Sequence, residues 1–415
     1  MRRSCSSPPA RTAPVNQYNR MPMKKRFFSI IVVLLVALLQ GACVSAPVAE
    51  GKGTADDTLG SALVVETPTA PTFSAILERV RKERLLYVGE THTRNADHLL
   101  QLAVFKALPP ERAALGVEWF QARFQPVLDD FVAGRIDEAE MLRRTEYFTR
   151  WGFDYRLYRP ILQYARRHHI PIIALNASRE LTGAIRDKGI AGLEPEMQRQ
   201  LPDGYDYSDR AYDRILRGVF DQHRREDGDF QRFREVQLTW DETMAQHVAQ
   251  YLQAHPERQL LVLAGRGHIA ARHGIPNRVT RRSGVRGVVI LSHDPRSPAR
   301  NEADYLVLDQ ERALPSPGMM GAFLDIGKGI VITGFTEGSI AKAAGLEKGD
   351  RITAVDGREV KDYVAFKLAM LEKRPGDRLQ VTVERKGWLG GQQRMTVSMV
   401  LKPPAAARGS VHSGR

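Results

Sequence analysis

Cysteine is nearly absent: of 415 residues only Cys5 and Cys43 carry a thiol, and both lie at the extreme N-terminus. A disulfide framework and a thiolate metal site are therefore excluded from the folded part, where any metal must be held by His, Tyr or carboxylates. Long apolar runs are scarce as well. The run 27–39, interrupted by Ser29, is too short for a bilayer span, which takes about 20 apolar residues. Aromatic-interleaved basic blocks are missing too. The formal charge is +13, yet Lys and Arg are scattered among Asp and Glu, which argues against nucleic acid and leaves only a mild preference for anionic surfaces or ligands.

With 43% hydrophobic and 26% charged residues, the chain reads as globular, and its length calls for two folded units. Lys24, Lys25 and Arg26 precede the short apolar run, as in a secretory signal peptide. The run closes on Leu39-Gln40-Gly41-Ala42-Cys43, which resembles a lipobox whose leucine stands one place early. Lipidation is expected at Cys43, which anchors an exported chain to a bacterial membrane facing the periplasm or the cell surface. The plainer alternative is a secreted protein cut near Ala46. Residues 1–20 precede a sensible start at Met21 or Met23, and the signal region is taken as 1–43. A Gly-, Ala-, Thr- and Pro-rich tether follows over 44–72.

Over 73–308 short apolar runs alternate with amphipathic stretches, the pattern of an α/β domain with a mostly parallel sheet and flanking helices. Strands are expected at 85–88, 114–117, 172–175, 260–264, 287–291 and 305–308, with helices over 95–108, 155–169 and 230–255. A linker is read at 309–317, a small β-rich domain at 318–402 and a disordered tail at 403–415.

Ligands of open α/β sheets gather at the carboxyl ends of the strands. Glu90 and His92 follow the first strand, Glu118 the second, Asn176 the third and His268 the fourth. Gly89-Glu90-Thr91-His92 and Gly265-Arg266-Gly267-His268 share the form Gly-x-x-His, so each turn can aim an imidazole into one crevice. Two imidazoles with Glu90 and Glu118 make a divalent-metal ligand set, or a general base with its orienting carboxylates. The bland alternative is that the histidines satisfy buried polar groups. The glycines at 265 and 267 come too late in the domain for a dinucleotide loop.

Tyr87-Val88-Gly89-Glu90-Thr91-His92, Gly116-Val117-Glu118, the stretch Gln237 through Ala245, Gly265-Arg266-Gly267-His268 and Ala303-Asp304-Tyr305 together resemble the ChaN-like family of haem-binding lipoproteins in the Tiki superfamily. That resemblance implies a Tiki-type α/β fold, haem bound between two subunits through a tyrosine, and relatives that act as metal-dependent hydrolases. The loop from Leu201 to Tyr212 offers Tyr205, Tyr207 and Tyr212 as candidate haem ligands, with Arg210 or Arg214 for the propionates. The bland reading of these tyrosines is a cover of amphipathic rings over the core.

Residues 318–402 resemble a bacterial, circularly permuted PDZ domain, through Gly329-Ile330-Val331-Ile332, Gly338 to Leu346 and Lys348-Gly349-Asp350-Arg351. The resemblance implies capture of a partner's C-terminal peptide. Met320, Gly321, Ala322 and Phe323 stand at the carboxylate loop and groove, and 363–370 at the groove helix. Met and Ala there replace the commoner Leu and aliphatic residue. Two readings result. The first is a membrane-anchored haem-binding protein of haem or iron uptake, possible as a homodimer, with a peptide-recruiting module. The second is a metal-dependent hydrolase using the two Gly-x-x-His motifs on polypeptides presented by the PDZ domain.

Overall fold

A computed structural model describes residues 72–222, 229–293, 302–308, 312–327, 329–387 and 391–404. The export segment, Cys43, the tether and most of the tail lie outside the described residues.

The first unit is a six-stranded, wholly parallel sheet in the order β3-β2-β4-β1-β5-β6. Its strands are β1 (Leu85–Glu90), β2 (Ala113–Gln121), β3 (Ile172–Asn176), β4 (Gln259–Gly265), β5 (Val288–Ser292) and β6 (Tyr305–Val307). Both faces of this sheet are covered by helices, so β1 and β4 read as unbroken buried runs instead of alternating ones. On one face Leu86, Val88, Leu115, Val117 and Leu263 pack with the helices Asn95–Ala107, Gln125–Val132 and Tyr155–Arg167. On the other, Leu85, Tyr87, Leu260 and Val262 meet Met244, Ala245, Val248 and Leu252 of the helix Phe230–Ala254, together with Ile275 and Val279.

All six expected strands are present, within a few residues at their ends. The sixth stops at Val307, and Leu308 is exposed. The residues of the expected linker that are described, 312–317, form no regular element but are fastened down. Asn95 donates to the Arg312 carbonyl, Arg156 donates to that of Pro315, and Leu314 packs on the first core. The short helices over 125–150 and 179–222 escaped the sequence reading, because pieces of 4 to 13 residues separated by charged turns leave little apolar period.

The second unit is an antiparallel sheet in the order β12-β11-β9-β8-β7. Its strands are β7 (Ala322–Asp325), β8 (Ile330–Phe335), β9 (Arg351–Val355), β11 (Arg378–Lys386) and β12 (Gln392–Val400), with the short β10 (Arg358–Glu359) beside β9. The helix Tyr363–Met370 places Phe366 in the core with Ile332, Ile352, Val381 and Met320. Asp350 is fully buried: one oxygen binds Arg385 Nε at 2.7 Å and the other accepts the Glu347 amide at 2.8 Å. Its removal would leave the Arg385 guanidinium without its inner partner, which in buried pairs costs about 3 kcal/mol or more. Asp350→Ala should therefore lower the urea midpoint of the second domain selectively. An unchanged midpoint would show that the pair contributes nothing.

Candidate functional site

The crevice follows from register. β1 and β4 are adjacent and parallel, with Glu90 level with Gly265, and β2 flanks β4 with Val117 level with Leu263. Glu90 and Gly265, the last residues of β1 and β4, and Glu118 of β2 thus lie at one edge, and each Gly-x-x-His segment delivers its imidazole there. The structure brings Glu90, His92, Glu118 and His268 together.

His92 Nδ1 lies 2.8 Å from Glu90 Oε1, and His98 Nε2 lies 3.2 Å from Glu90 Oε2. His268 Nδ1 lies 2.7 Å from Asp241 Oδ1, while its Nε2 stands 3.6 Å from Glu118 Oε1. Glu118 Oε2 accepts the Gly265 amide at 2.6 Å. Each imidazole is thus backed by its own carboxylate, which orients the ring and makes it more basic. Gly265 is required at the floor of the crevice. A methyl there would stand 2.9 Å from His92 Cε1 and 3.4 Å from Glu118 Oε2.

Burial alone would depress both histidines, but the carboxylates prevail. Glu118 and Asp241 raise His268 to about 9, and Glu90 lifts His92 above its ordinary value against the opposing charge of His268. Glu90 is fully buried, yet His92 and His98 hold its carboxyl far below the usual range. The site is dry. His92 and His268 are only 5% and 8% exposed, and Trp151 and Phe153 cover His92 with ring centroids at 4.9 and 4.5 Å. Among the described residues no three His, Cys, Asp or Glu side chains form a group that could hold a metal ion. Asn176 spends its amide on the Glu118 carbonyl and so fixes the strand end.

His98, Asp241 and Tyr212 belong to this network and were not foreseen in it. Asp241 sits within an apolar helix, where a buried carboxylate interrupting Leu238, Met244 and Val248 was the available signal. Tyr212, 3% exposed, donates to Asp241 Oδ2 at 2.6 Å, so its hydroxyl supports His268 from behind.

The tyrosine loop is a separate structure. It is pinned on all sides to the helices Phe230–Ala254 and Ile275–Ser283. Glu242, fully buried, accepts the Asp206 amide and pairs with Arg278, Arg281 and Arg282. Gln246 accepts the Asp203 amide, and Arg282 donates to the Asp203 and Gly204 carbonyls. Tyr205 and Thr239 share a hydrogen bond of 3.0 Å between their hydroxyls, and the Tyr205 ring stacks on Tyr207. Tyr207 is 40% exposed, lies under the Arg234 guanidinium at 4.8 Å, and has no hydrogen bond to its hydroxyl among the described residues.

In the second unit β7 is an edge strand, paired only with β8. Met320 is buried, Ala322 is half-buried and Phe323 is 57% exposed on the free edge. Gly321 has φ +77°, and a side chain there would meet Thr336 Oγ1 at 2.8 Å, so this turn admits only glycine.

The first unit is therefore a parallel α/β domain with a polar crevice at the carboxyl edge of its sheet, and the second an antiparallel domain with an open edge beside a helix. Residues 76–279 match the family model described as "Haem-binding uptake, Tiki superfamily, ChaN", and residues 311–392 match that of the PDZ domain. The chain joins a ChaN-type domain of the Tiki superfamily to a C-terminal PDZ domain. The structure titled "Cofacial heme binding to ChaN of Campylobacter jejuni" is similar at 18% identity and TM-score 0.43, covering 57% of this chain and 92% of that one. An HtrA-type protease, AlgW with decapeptide, is similar at 24% identity and TM-score 0.19, covering 22% of this chain and 31% of that one. A serine endoprotease from Yersinia pestis gives 22% identity and TM-score 0.19, over 22% of this chain and 30% of that one. No curated protein matches.

Two outcomes are expected of the crevice. An imidazole that titrates at 6.5 when unfolded and near 9 when folded contributes stability that is complete below the lower value and is lost as pH rises through the upper one. For His268 this is about 3 kcal/mol at most. Urea unfolding should show a loss of stability between pH 6 and pH 10 that flattens in His268→Gln; an equal slope in the variant contradicts the assignment. Gly265→Ala should press its methyl on the His92 ring, 2.9 Å from Cε1, and cost about 1–3 kcal/mol as an overpacked site. A variant as stable as the parent would mean that the contact yields freely.

Proposed function

We propose that this protein is an exported, lipid-anchored haem-binding factor of haem or iron uptake, whose PDZ domain captures the C-terminus of a partner protein. The observation that carries the haem reading is Tyr207. Of the three loop tyrosines, Tyr205 and Tyr212 have their hydroxyls engaged, whereas Tyr207 is 40% exposed and its hydroxyl has no hydrogen bond among the described residues. The residues fit the group. An exposed phenol suits ferric iron as a phenolate ligand, and Arg210 and Arg214, exposed and without ion pairs among the described residues, suit propionates. Burial and Glu235 raise the Tyr207 phenol while Arg234 lowers it, so the proton must leave when iron binds. The crevice is not part of this reading, since both of its histidines are buried, His92 under Trp151 and Phe153 and His268 beside Trp240. A homodimer sharing haem through this loop belongs to the same reading.

The alternative, metal-dependent hydrolysis using Glu90, His92, Glu118 and His268 on polypeptides presented by the PDZ domain, fits the arrangement less well, because among the described residues no three such side chains form a group that could hold a metal ion.

Hemin titration separates these readings. The full chain should give a tyrosinate-type Soret band that Tyr207→Phe weakens by about tenfold or more in affinity, while Tyr205→Phe and Tyr212→Phe retain it. Loss in Tyr212→Phe with retention in Tyr207→Phe would overturn the ligand assignment. Stoichiometric divalent metal in a protein that ignores hemin would favour the hydrolase.

A further inference from the structure

The PDZ groove helix does double service. One side, Phe366 with Tyr363 and Met370, packs on the PDZ core, while Val364, Leu368 and Leu371 pack against the core of the first domain. Its N-cap Asp362 accepts from Arg143 Nε at 2.7 Å as well as from its own helix at Ala365 N. Arg159 stands 3.6 Å from Glu372 just beyond the far end. The helix therefore rests on the first domain along its whole length.

It rests on the helix Glu138–Arg144 and on Phe148, which belongs to the segment 145–154 whose Trp151 and Phe153 cover His92. Phe148 meets Tyr363 edge to face at 5.9 Å, and Lys367 Nζ stands 5.6 Å over the Phe148 ring. From Phe148 an unbroken series of rings leads inward: Tyr147 at 5.4 Å, Tyr158 at 6.3 Å from Tyr147, Trp151 at 6.1 Å from Tyr158, and finally His92 at 4.9 Å from Trp151. The segment is bracketed by left-handed backbone at Glu146 (φ 52°) and Gly152 (φ 81°). Glycine adopts such a conformation freely, but Glu146 persists in it only while its surroundings hold it there. Phe148 is held between Tyr147 and Tyr155 of its own domain and Tyr363 and Lys367 of the PDZ helix.

We propose that occupancy of the PDZ groove controls access to the His92 side of the crevice, through the segment 145–154, against whose Phe148 the groove helix is seated. A peptide that adds as a strand to the free edge of β7 must fit between that edge and the helix Tyr363–Met370. Any displacement of the helix falls directly on Phe148, and through it on Trp151 and Phe153. A ligand shifts such an equilibrium only by binding its two states unequally. The closed arrangement, with the helix pressed against the first domain, is the one that peptide binding disfavours. The proposal rests on the reading of the second domain as a binder of peptide C-termini.

The test is carbethoxylation of histidines by diethyl pyrocarbonate in the full chain, with each residue followed by mass spectrometry. The probes are a decapeptide with a free apolar C-terminus and the same peptide capped as an amide, whose binding is measured separately by calorimetry. The free-acid peptide should raise the His92 rate about fivefold or more, the size of an ordinary coupling between sites, and the amide should not. Exposed His255 should react equally throughout, and half-buried His247 should stay slow, which excludes general unfolding. Without peptide, Tyr363→Ala and Leu371→Ala should each release His92 to a similar degree. Peptide that binds without changing the His92 rate would overturn the coupling. So would an unchanged rate in both variants. Failure of the peptide to bind would refute the peptide-binding reading alone, and the two variants would still decide the coupling.

Discussion

The pairing of β1 with β4 is the constraint on which the rest of the molecule depends. Strands distant in sequence lie side by side and parallel, with Glu90 beside Gly265, so the two Gly-x-x-His segments leave the sheet at the same edge, staggered by one residue. Register in a buried parallel sheet is not free to slip, because both faces are packed. The imidazoles are therefore positioned by the core, and Leu86, Val88, Leu261 and Leu263 determine where His92 and His268 stand. Gly89 and Gly265 permit the close approach: a methyl on Gly89 would meet Leu291 Cδ2 at less than 3 Å, as one on Gly265 would meet His92.

Two polar systems are built on this frame and meet only where Tyr212 and Arg278 approach Asp241. In the crevice, ionised groups are buried in compensating pairs, Glu90 with His92 and His98, and Asp241 and Glu118 with His268. Buried charges persist only in such arrangements. In the tyrosine loop, Glu242 gathers three arginines and the Asp206 amide, and that cluster holds the loop in one shape. Tyr212 and Asp241 touch the crevice from the loop side, whereas Tyr207 faces away from it toward solvent. The division explains why one domain can offer both a closed, dry carboxylate–histidine system and an open phenol.

The pattern of strands was legible in the sequence because buried parallel strands are compact apolar runs, and 85–88, 172–175 and 260–264 stand out against their charged surroundings. The convergence of Glu90, His92, Glu118 and His268 was legible for the same reason, since each lies at or just beyond the apolar run of a strand, although β1 extends to Glu90 and β2 runs past Glu118 to Gln121. Asp241 and His98 were not, because they reach the crevice from helices, and a helical position carries no mark of the sheet edge it faces. Nor did the sequence distinguish among Tyr205, Tyr207 and Tyr212. The difference lies in which hydroxyl finds a partner at long range, Thr239 or Asp241. The segment 145–154 went unread altogether, as its aromatic residues are spaced by contacts with both domains and not by any period of its own.

The separation of the open phenol from the closed histidines is the central claim, and resonance Raman spectroscopy of the hemin-loaded full chain tests it most directly. The account predicts enhanced phenolate modes of a tyrosine-ligated ferric haem, with no imidazole ligation. A histidine-ligated spectrum would contradict it, because it would require His92 or His268 to leave its carboxylate and the crevice to open to a macrocycle.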